Sequence, residues 1–231
     1  MGLAPRGRLR ANRAVAALTL SRGVLITFEG GEGAGKSTQI GRLSGRLVAE
    51  LGLAPEQVVR VREPGGTVLG EGIREVLKRP ESRIGGPSEA LLFAACRAQL
   101  VEDVIRPALA AGKVVLCDRF ADSTVAYQGG GRGLPADLVE SVNRLACGEV
   151  RPDLTVLLDL DPADGLARAS ARDSGKADRL EALDLAFHRR VRDAYRALAR
   201  SEPARILVLD ATRPQAEVAE AIWHEVRRRL A

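Results

Sequence analysis

Apolar residues along this chain gather in five short runs, separated by stretches in which apolar and polar positions recur with helical spacing. The runs are rich in Val, Leu and Ile and occupy 23–29, 58–62, 113–118, 154–160 and 205–210. Nearly continuous apolar segments of this length are typical of parallel strands that are covered on both faces. The pattern therefore predicts a buried parallel sheet.

The intervening stretches predict helices that alternate with the strands along the chain. Their ranges are about 36–51, 69–78, 88–111, 135–147, 162–172, 183–200 and 214–230. Gly112 and Gly148 directly follow two of these helices, as helix-ending glycines do. Pro107 lies inside the third helix and should kink or shorten it, because proline lacks an N–H. The alternation predicts an α/β fold with a doubly wound sheet of five parallel strands flanked by helices.

The net charge of +5 comes from the N-terminal tail. Residues 1–22 contain five arginines and no acidic residue, whereas the rest of the chain has 30 basic and 30 acidic residues. Because the body is balanced, no nucleic-acid partner is expected. Residues 1–22 are expected to be a disordered basic extension or the result of a start codon assigned too early, with a targeting or contact role as the alternative. Residues 23–231 would then form a single domain.

Other bulk features narrow the class of protein. No apolar run approaches the ~20 residues of a membrane span, so no membrane partner is expected. Cys96, Cys117 and Cys147 lack metal-ligand spacing and fit the reduced thiols of a cytoplasmic protein. His188 and His224 are too far apart in the sequence to suggest a zinc site.

The strongest local signal is the segment FEGGEGAGKSTQ at 28–39, between the first predicted strand and the first helix. Its spacing GxxxxGK[ST] brings backbone N–H groups and a helix N-terminus together around phosphates. Lys36 would reach the β- and γ-phosphates, and the Ser37 hydroxyl would take a place on Mg²⁺. The motif indicates a P-loop NTPase fold but leaves the reaction open, because GTPases, ATPases and small-molecule kinases share it. One residue of the loop, Glu32, is a carboxylate inside an anion cradle, which raises the question of what it faces.

A second phosphate site is indicated at the end of the third predicted strand. Asp118 occupies the position from which an aspartate holds Mg²⁺ through water in P-loop proteins. Arg119 follows, which suggests a second phosphate to be bound rather than a water to be activated. A strand-end ion pair of purely structural use is the alternative. No guanine-reading NKxD motif occurs in the chain.

Two further features suggest a nucleobase site, but each is weak evidence by itself. Phe93 and Arg97 are four residues apart on one helix face, and a ring beside a guanidinium suits a nucleobase. A core phenylalanine beside a solvated arginine would have the same spacing. Gln128, in the polar glycine-rich stretch 123–133, could offer its amide to a base edge, although the stretch could equally be a flexible loop.

Taken together, these stretches closely resemble the thymidylate kinase family, in motif order and rough spacing, from about Gly23 to the C-terminus. The matching segments are EGGEGAGKST (29–38), REPGGT (62–67), FAACRAQ (93–99), DRFADSTVAYQGGGRG (118–133), RPDLTVLLD (151–159), DRLE (178–181) and DATRP (210–214). Residues 1–22 lie outside the resemblance. Phe120 stands where Tyr or His is frequent in the family.

The resemblance implies the reaction ATP + dTMP → ADP + dTDP with Mg²⁺, a step in dTTP synthesis, carried out by a homodimer. For ATP it implies contacts from the loop and from the DATRP segment. These positions are Gly30, Gly31, Glu32, Gly33, Ala34, Gly35, Lys36, Ser37, Thr38, Arg213 and Pro214. The last two would pack on adenine, and Ser37 and Asp118 would hold the metal.

The resemblance also implies the acceptor contacts. Phe93 would stack on thymine. Arg97 and Gln128 would read the base edge, Arg62 and Arg119 would bind the phosphate, and Thr124 would line the nucleoside pocket. Glu32 would face the acceptor side, near the deoxyribose 3′-hydroxyl, and point toward an acceptor-side arginine or a metal-bound water.

The phosphate loop has no arginine before Lys36, so another cation must meet the charge on the transferring phosphoryl. The predicted source is a mobile lid over about 168–181, between two helical patterns. Arg172 and Arg179 are its candidate catalytic residues beside Lys36 and Arg119, and Arg172 is favoured for direct contact. A solvated surface loop is the alternative.

Two other functions stay open at this point. One is another P-loop nucleotide or deoxynucleoside kinase, and the other is a non-catalytic nucleotide-dependent switch. The pair Arg62 and Arg119 argues against the switch, which has no need of a second anion site. The attacking group of dTMP is a phosphate, which is already nucleophilic. The kinase therefore needs positioning and charge rather than a general base.

Overall fold

The computed structural model describes residues 21–172 and 178–230. The sheet has five parallel strands in the order β2-β3-β1-β4-β5. They are β1 Val24–Glu29, β2 Val58–Arg62, β3 Val114–Asp118, β4 Leu154–Asp159 and β5 Ile206–Asp210. The predicted α/β fold with five parallel strands is confirmed, and each strand lies within one residue of its predicted bounds.

Helices cover both faces of the sheet. They are α1 Lys36–Leu51, α2 Val68–Lys78, α3 Gly86–Leu100, α4 Arg106–Ala110, α5 Ala121–Thr124, α6 Ala136–Cys147, α7 Pro162–Arg172, α8 Leu185–Ser201 and α9 Gln215–Leu230. A short 3₁₀ turn, Pro55–Gln57, precedes β2, and two π-helical segments, Val101–Ile105 and Val125–Gly131, follow α3 and α5.

The predicted helix 88–111 is helical throughout 86–110 but is not one regular α-helix, and its irregular part lies directly before Pro107, the residue expected to disturb it. The π-helical segment Val101–Ile105 separates α3 from α4, and Pro107 lies in the first turn of α4. Proline has no N–H, and its ring collides with the carbonyl four residues earlier. A wider π turn directly before it accommodates both effects.

The glycine-rich stretch that could have been a loop is helical in the structure. It forms α5 and the π-helical segment Val125–Gly131, which packs against α8. A β-carbon on Gly130 would lie 2.4 Å from Cβ of Ala194, and one on Gly131 would lie 2.6 Å from Cε2 of Phe187. The glycines therefore permit close helix packing rather than chain mobility.

The two faces of the sheet form separate cores. On one face, Ile26 and Phe28 of β1 pack among residues of α1 and α9, including Leu47 and Trp223. On the other face, Leu25 packs with residues of α3, α4 and β3. Tyr127 joins Phe187, Val191 and Tyr195 of α8 in a third cluster.

β1 is the central strand, and the chain runs from it to neighbours on both sides. Ligands of such sheets bind beyond the carboxyl ends of the strands, where the strand order reverses. The fold thus brings the segments after β1 and β3 together at one edge. Within the described residues, no helix has the length and apolar character to cross a membrane.

Candidate active site

The phosphate loop lies directly after β1, and α1 begins at Lys36. Glycine is required at two positions, Gly30 and Gly33, whose φ angles are 131° and 64°. A β-carbon there would lie 2.4 Å from the Leu158 carbonyl oxygen and 2.2 Å from that of Gly165, respectively. Lys36 Nζ donates to the carbonyls of Gly30 at 3.1 Å and Gly31 at 2.9 Å. These two bonds hold the ammonium against the start of the loop.

The site predicted to hold a metal brings together two oxygen-bearing side chains. Ser37 Oγ donates to Asp118 Oδ2 at 2.8 Å, because β3 lies beside β1 with Asp118 opposite Phe28. Hydroxyl and carboxylate oxygens are the ligands that Mg²⁺ prefers, usually shared with water and nucleotide phosphates. Among the described residues, no group of three or more His, Cys, Asp or Glu side chains could chelate a metal without such help. The donor set fits Mg²⁺ that arrives with a nucleotide.

Glu32 faces Arg119, which answers the question of its charge. Arg119 Nη2 lies 2.7 Å from Glu32 Oε1, and Tyr127 donates its hydroxyl to the same oxygen at 3.1 Å. Burial alone would raise the pKa of Glu32, but the positive charges of Arg119 and Lys36 prevail and lower this pKa to about 2. Of the two partners expected for Glu32, an arginine and a metal-bound water, the arginine is the one that it contacts here.

Arg119 is held in an unusual backbone conformation. Its φ of +70° is in the left-handed region, which costs a residue with a β-carbon about 1–2 kcal/mol. Its N–H donates to the Phe28 carbonyl at 3.0 Å, and its guanidinium lies over the Tyr127 ring at 4.9 Å. Nη1 also donates to the Gly30 carbonyl at 3.1 Å. The turn and its contacts direct the side chain toward the phosphate loop.

One cleft of about 810 Å³ joins the phosphate loop to the predicted base-binding residues. This volume is ample for a nucleotide-sized ligand. Its lining residues include Glu32, Gly33, Ala34, Gly35, Lys36, Ser37, Thr38, Arg62, Phe93, Arg97, Asp118, Arg119, Thr124, Gln128, Arg172, Arg213 and Pro214. Gly30 and Gly31 do not line this cleft, and their carbonyls accept from Lys36.

Arg97 lies in the cleft wall with its donors already engaged. It is 1% exposed, pairs with Glu63 at 2.7 Å, and donates to Thr124 Oγ1 at 2.8 Å and Asn143 Oδ1 at 2.9 Å. It also donates to the Phe120 carbonyl at 2.9 Å. A contact to a base edge must therefore share or replace one of these bonds. Sequence reasoning missed Glu63 and Asn143, although Glu63 belongs to the REPGGT motif.

Gln128 and Arg179 meet at a buried carboxylate that sequence reasoning also missed. Glu89 accepts from Gln128 Nε2 at 2.9 Å, from Arg132 and, at 2.7 Å, from Arg179. Arg179 additionally donates to the Leu77 carbonyl at 2.8 Å. In this structure Arg179 does not line the cleft, contrary to the expected role in phosphate contact. Its charge neutralises Glu89 instead.

The rest of the predicted lid lies only partly within the described residues. Arg172, at the end of α7, lines the cleft and lies 3.5 Å from Glu181. Residues 173–177 lie outside the described residues, so the expected mobility of 168–181 remains a prediction. Residues 1–20 also lie outside the described residues, so the expected basic extension remains a prediction as well. Arg22, its last residue, has Nη2 2.6 Å from Asp153 Oδ1.

The remaining predicted contacts are on the open rim. Arg62 pairs with Glu71 at 3.1 Å, and Arg213 pairs with Glu217 at 2.8 Å, both on exposed side chains. Surface pairs of this kind are weak and exchange readily for a phosphate. Arg74 was missed by sequence reasoning. It lines the same wall and donates to the Pro64 carbonyl at 2.7 Å.

A phosphate loop, an aspartate on the neighbouring strand and a cleft with a second set of arginines beyond the loop define a P-loop kinase that acts on a small phosphorylated acceptor. The thymidylate kinase family model matches residues 28–222, and the chain belongs to that family.

Named relatives agree with this assignment. The chain is 54% identical over 210 residues to the thymidylate kinase of Deinococcus radiodurans, covering 91% of this chain and 99% of that protein. It is 52% identical over 213 residues to the thymidylate kinase of Solidesulfovibrio magneticus, covering 90% and 100%. The crystal structure of the thymidylate kinase of Ehrlichia chaffeensis matches with a TM-score of 0.70 at 33% identity, covering 88% of this chain and 98% of that one.

Proposed function

We propose that this chain transfers the γ-phosphoryl group of ATP to dTMP, giving ADP and dTDP on the route to dTTP for DNA replication. The observation that carries the proposal is the continuous cleft from Lys36 to Phe93 in a member of the thymidylate kinase family. ATP would occupy the phosphate-loop end, with Arg213 and Pro214 on adenine. dTMP would occupy the other end, with Phe93 against thymine.

The acceptor phosphate needs orientation rather than activation. One of its oxygens forms the new bond to the γ-phosphorus while the bond from that phosphorus to the β–γ bridging oxygen breaks, and ADP leaves. Arg62 and Arg119 would hold the acceptor phosphate in line. Lys36 would meet negative charge on the β- and γ-oxygens. These groups act by position and charge, which is the main protein contribution in phosphoryl transfer.

Ser37 and Asp118 would hold the Mg²⁺ that accompanies ATP, which supplies positive charge beside the phosphates. The 2.8 Å contact between their side chains supports this assignment, because it brings two oxygen ligands together at the first turn of α1.

Arg172 is the lid residue that we favour as the source of positive charge for the transferring phosphoryl. It lies on the cleft, whereas Arg179 pairs with the buried Glu89. Arg179 would then fix the base of the lid, and its backbone N–H bonds the Lys78 carbonyl at 3.2 Å for the same purpose. An arginine that contacts the transferring phosphoryl would act mainly in the transition state.

Exposed apolar side chains support a homodimer formed through α2, α3 and α6. α3 packs against both of the other helices, and the three carry Val68, Val76, Leu91, Leu138 and Leu145 on the surface, with Leu145 85% exposed. Exposed apolar side chains on adjoining helices are typical of a protein interface.

Light scattering after size exclusion tests the dimer. Leu91→Glu should convert a dimer to a monomer, because it buries a charge in the contact. Val208→Glu, on the β5 edge, should leave the mass unchanged. A wild-type monomer would contradict the dimer proposal.

The free cysteines at 96, 117 and 147 support a cytoplasmic location, where thiols stay reduced.

An ADP-release assay across nucleoside monophosphates tests the function. With ATP and Mg²⁺, dTMP should be the favoured acceptor, because Phe93 and the acceptor arginines would bind a pyrimidine deoxynucleotide. ATP turnover without any acceptor preference would contradict the proposal and favour a nucleotide-dependent switch.

A further inference from the structure

Glu29 is a buried carboxylate that the chemistry above does not use. It is the last residue of β1 and is 0% exposed. Its Oε1 accepts from the backbone N–H of Phe120 at 2.8 Å. Its Oε2 accepts from Ser123 Oγ at 2.6 Å and from Tyr195 Oη at 2.7 Å. A buried charge is costly unless its partners are well placed, so the convergence of three donors invites a functional explanation.

All three donors surround Arg119. Phe120 is the next residue, so its bond to Glu29 fixes the far side of the turn that holds Arg119 at φ +70°. Arg119 Nη1 lies 3.5 Å from Ser123 Oγ and 3.4 Å from Tyr195 Oη. The two hydroxyls therefore lie between the guanidinium and the carboxylate.

The direction of these bonds depends on the charge of Glu29. Each hydroxyl has one hydrogen, and an ionised carboxylate can only accept. Ser123 and Tyr195 then donate to Glu29, and their oxygens, which lie 2.8 Å apart, are left to accept from Arg119. A protonated acid or an amide would place a hydrogen against a hydroxyl. That hydroxyl can no longer donate to Glu29, and its hydrogen must turn to the other hydroxyl, 2.8 Å away, or toward Arg119, where it would meet a second donor.

We propose that Glu29 is a positioning residue, whose carboxylate fixes Arg119 for the acceptor phosphate through the Phe120 backbone and the hydroxyls of Ser123 and Tyr195. The acceptor role of Arg119 rests on the proposed function. The anchoring of Arg119 by Glu29 does not.

The groups that face Glu29 decide when it is ionised. They are Asp122, Arg119, Tyr195, Lys36, Arg97 and Cys117. Burial and the nearby Asp122 raise the pKa of Glu29 to about 7, against the opposing effect of Ser123 and Arg119. The anchoring carboxylate is therefore present at pH 8 and is lost as the pH falls below about 7.

Glu29→Gln tests the proposal in the full-length protein. At pH 8 the KM for dTMP should rise about 10–100-fold, because a small misplacement of a binding group costs this much, while the KM for ATP stays within twofold. Between pH 8 and pH 6 the wild-type KM for dTMP should rise more steeply than that of the variant. Titration of the dTMP phosphate affects both proteins equally.

Two further variants separate positioning from general stability. Thr27→Val removes a buried hydrogen bond to Thr155, on the same face of β1 and two residues before Glu29. It should lower the unfolding temperature and leave the KM for dTMP within twofold. Tyr195→Phe removes one of the three donors and should raise the KM for dTMP about three- to tenfold. If Glu29→Gln does not fold, the effect of Tyr195→Phe on the KM for dTMP tests the proposal instead.

The inference is overturned if Glu29→Gln or Tyr195→Phe leaves the KM for dTMP within twofold, or raises both KM values together with a lower unfolding temperature. If the wild-type protein does not phosphorylate dTMP, the proposed function fails separately. A crystal structure of Glu29→Gln then decides the anchoring. The distance from Arg119 Nη2 to Glu32 Oε1, 2.7 Å here, should exceed ~4 Å, the limit of an ion pair. An unchanged distance between Arg119 and Glu32 in the variant would overturn the inference.

Discussion

At the scale of single residues, the most direct prediction concerns Phe93 and the binding of dTMP. Phe93 is partly exposed on the cleft wall, one turn before Arg97. Phe93→Ala should weaken dTMP binding by about 1–3 kcal/mol, the range for stacking of a base on an aromatic ring, and leave ATP binding unchanged. Titration calorimetry with each nucleotide measures both. Equal losses for the two nucleotides would mean that Phe93 supports the fold rather than the base.

Arg172 and Arg179 should behave differently, although they are close in the sequence. Arg172→Ala should lower kcat by ~10³-fold with little change in dTMP affinity, because a lid arginine acts mainly in the transition state. Arg179→Ala should instead lower the free energy of unfolding by about 1–3 kcal/mol, because it removes a donor from the buried Glu89. Steady-state kinetics and urea unfolding of both variants separate these effects.

The opposite pattern, with Arg179→Ala losing kcat at full stability, would identify Arg179 as the lid cation. Near wild-type turnover in both single variants and in the double variant would mean that the lid supplies no cation.

Residues whose partners are fixed by the backbone were predictable from the sequence. Lys36 and Ser37 are placed by the loop and the first turn of α1, and Asp118 by the end of a strand next to β1. The partners of long side chains were not predictable. Arg97 reaches Glu63 from 34 residues away, and Arg179 reaches Glu89 from 90 residues away, so only the assembled fold selects these pairs.

At the scale of elements, the close packing of the second π-helical segment on α8 can be tested at Gly130. Gly130→Ala puts a methyl group 2.4 Å from Cβ of Ala194, so the segment must move away from α8. Overpacking of this kind should lower the free energy of unfolding by about 1–3 kcal/mol. Because Tyr127 and Gln128 lie on the same segment, the KM for dTMP should rise as well.

Gly41→Ala on α1 is the matched control for Gly130→Ala. A β-carbon on Gly41 has no atom within 4 Å, and the residue is exposed. The change should raise the free energy of unfolding by about 0.5–1 kcal/mol, because alanine favours the helix. Urea unfolding compares the two variants. A neutral Gly130→Ala would show that the helices tolerate a wider separation.

Strands and regular helices followed from local periodicity because burial and hydrogen bonding repeat along them. The two π-helical segments did not follow from periodicity, because each departs from the regular α-helix for a reason specific to its place in the fold. Val101–Ile105 widens to accommodate Pro107, and Val125–Gly131 is helical despite three glycines because it packs on α8. Intrinsic preference alone disfavours glycine in a helix, and tertiary packing overrides it here.

At the scale of the whole molecule, the N-terminal tail should be dispensable. The first strand begins at Val24, and the family match begins at residue 28. A chain that starts at Ser21 should keep the wild-type unfolding temperature and kcat, as measured by calorimetry and the ADP-release assay. An insoluble or inactive truncated protein would contradict this and assign residues 1–20 a role in folding or catalysis.

The order of strands and helices predicted the class of the fold, since alternating elements leave few arrangements of a parallel sheet. It did not predict how the acceptor side is held together. Glu29, Glu63 and Glu89 are buried carboxylates from three separate parts of the chain, and each binds an arginine or the turn that carries one. Such networks depend on the completed tertiary structure.

The central claim is that the chain phosphorylates dTMP, and a competition between two acceptors tests it most directly. The wild-type protein is incubated with ATP, Mg²⁺ and equal concentrations of dTMP and thymidine, and the nucleotides are separated by chromatography. dTDP and ADP should form in equal amounts, and thymidine should remain. Conversion of thymidine to dTMP, or release of ADP without dTDP, would contradict the account.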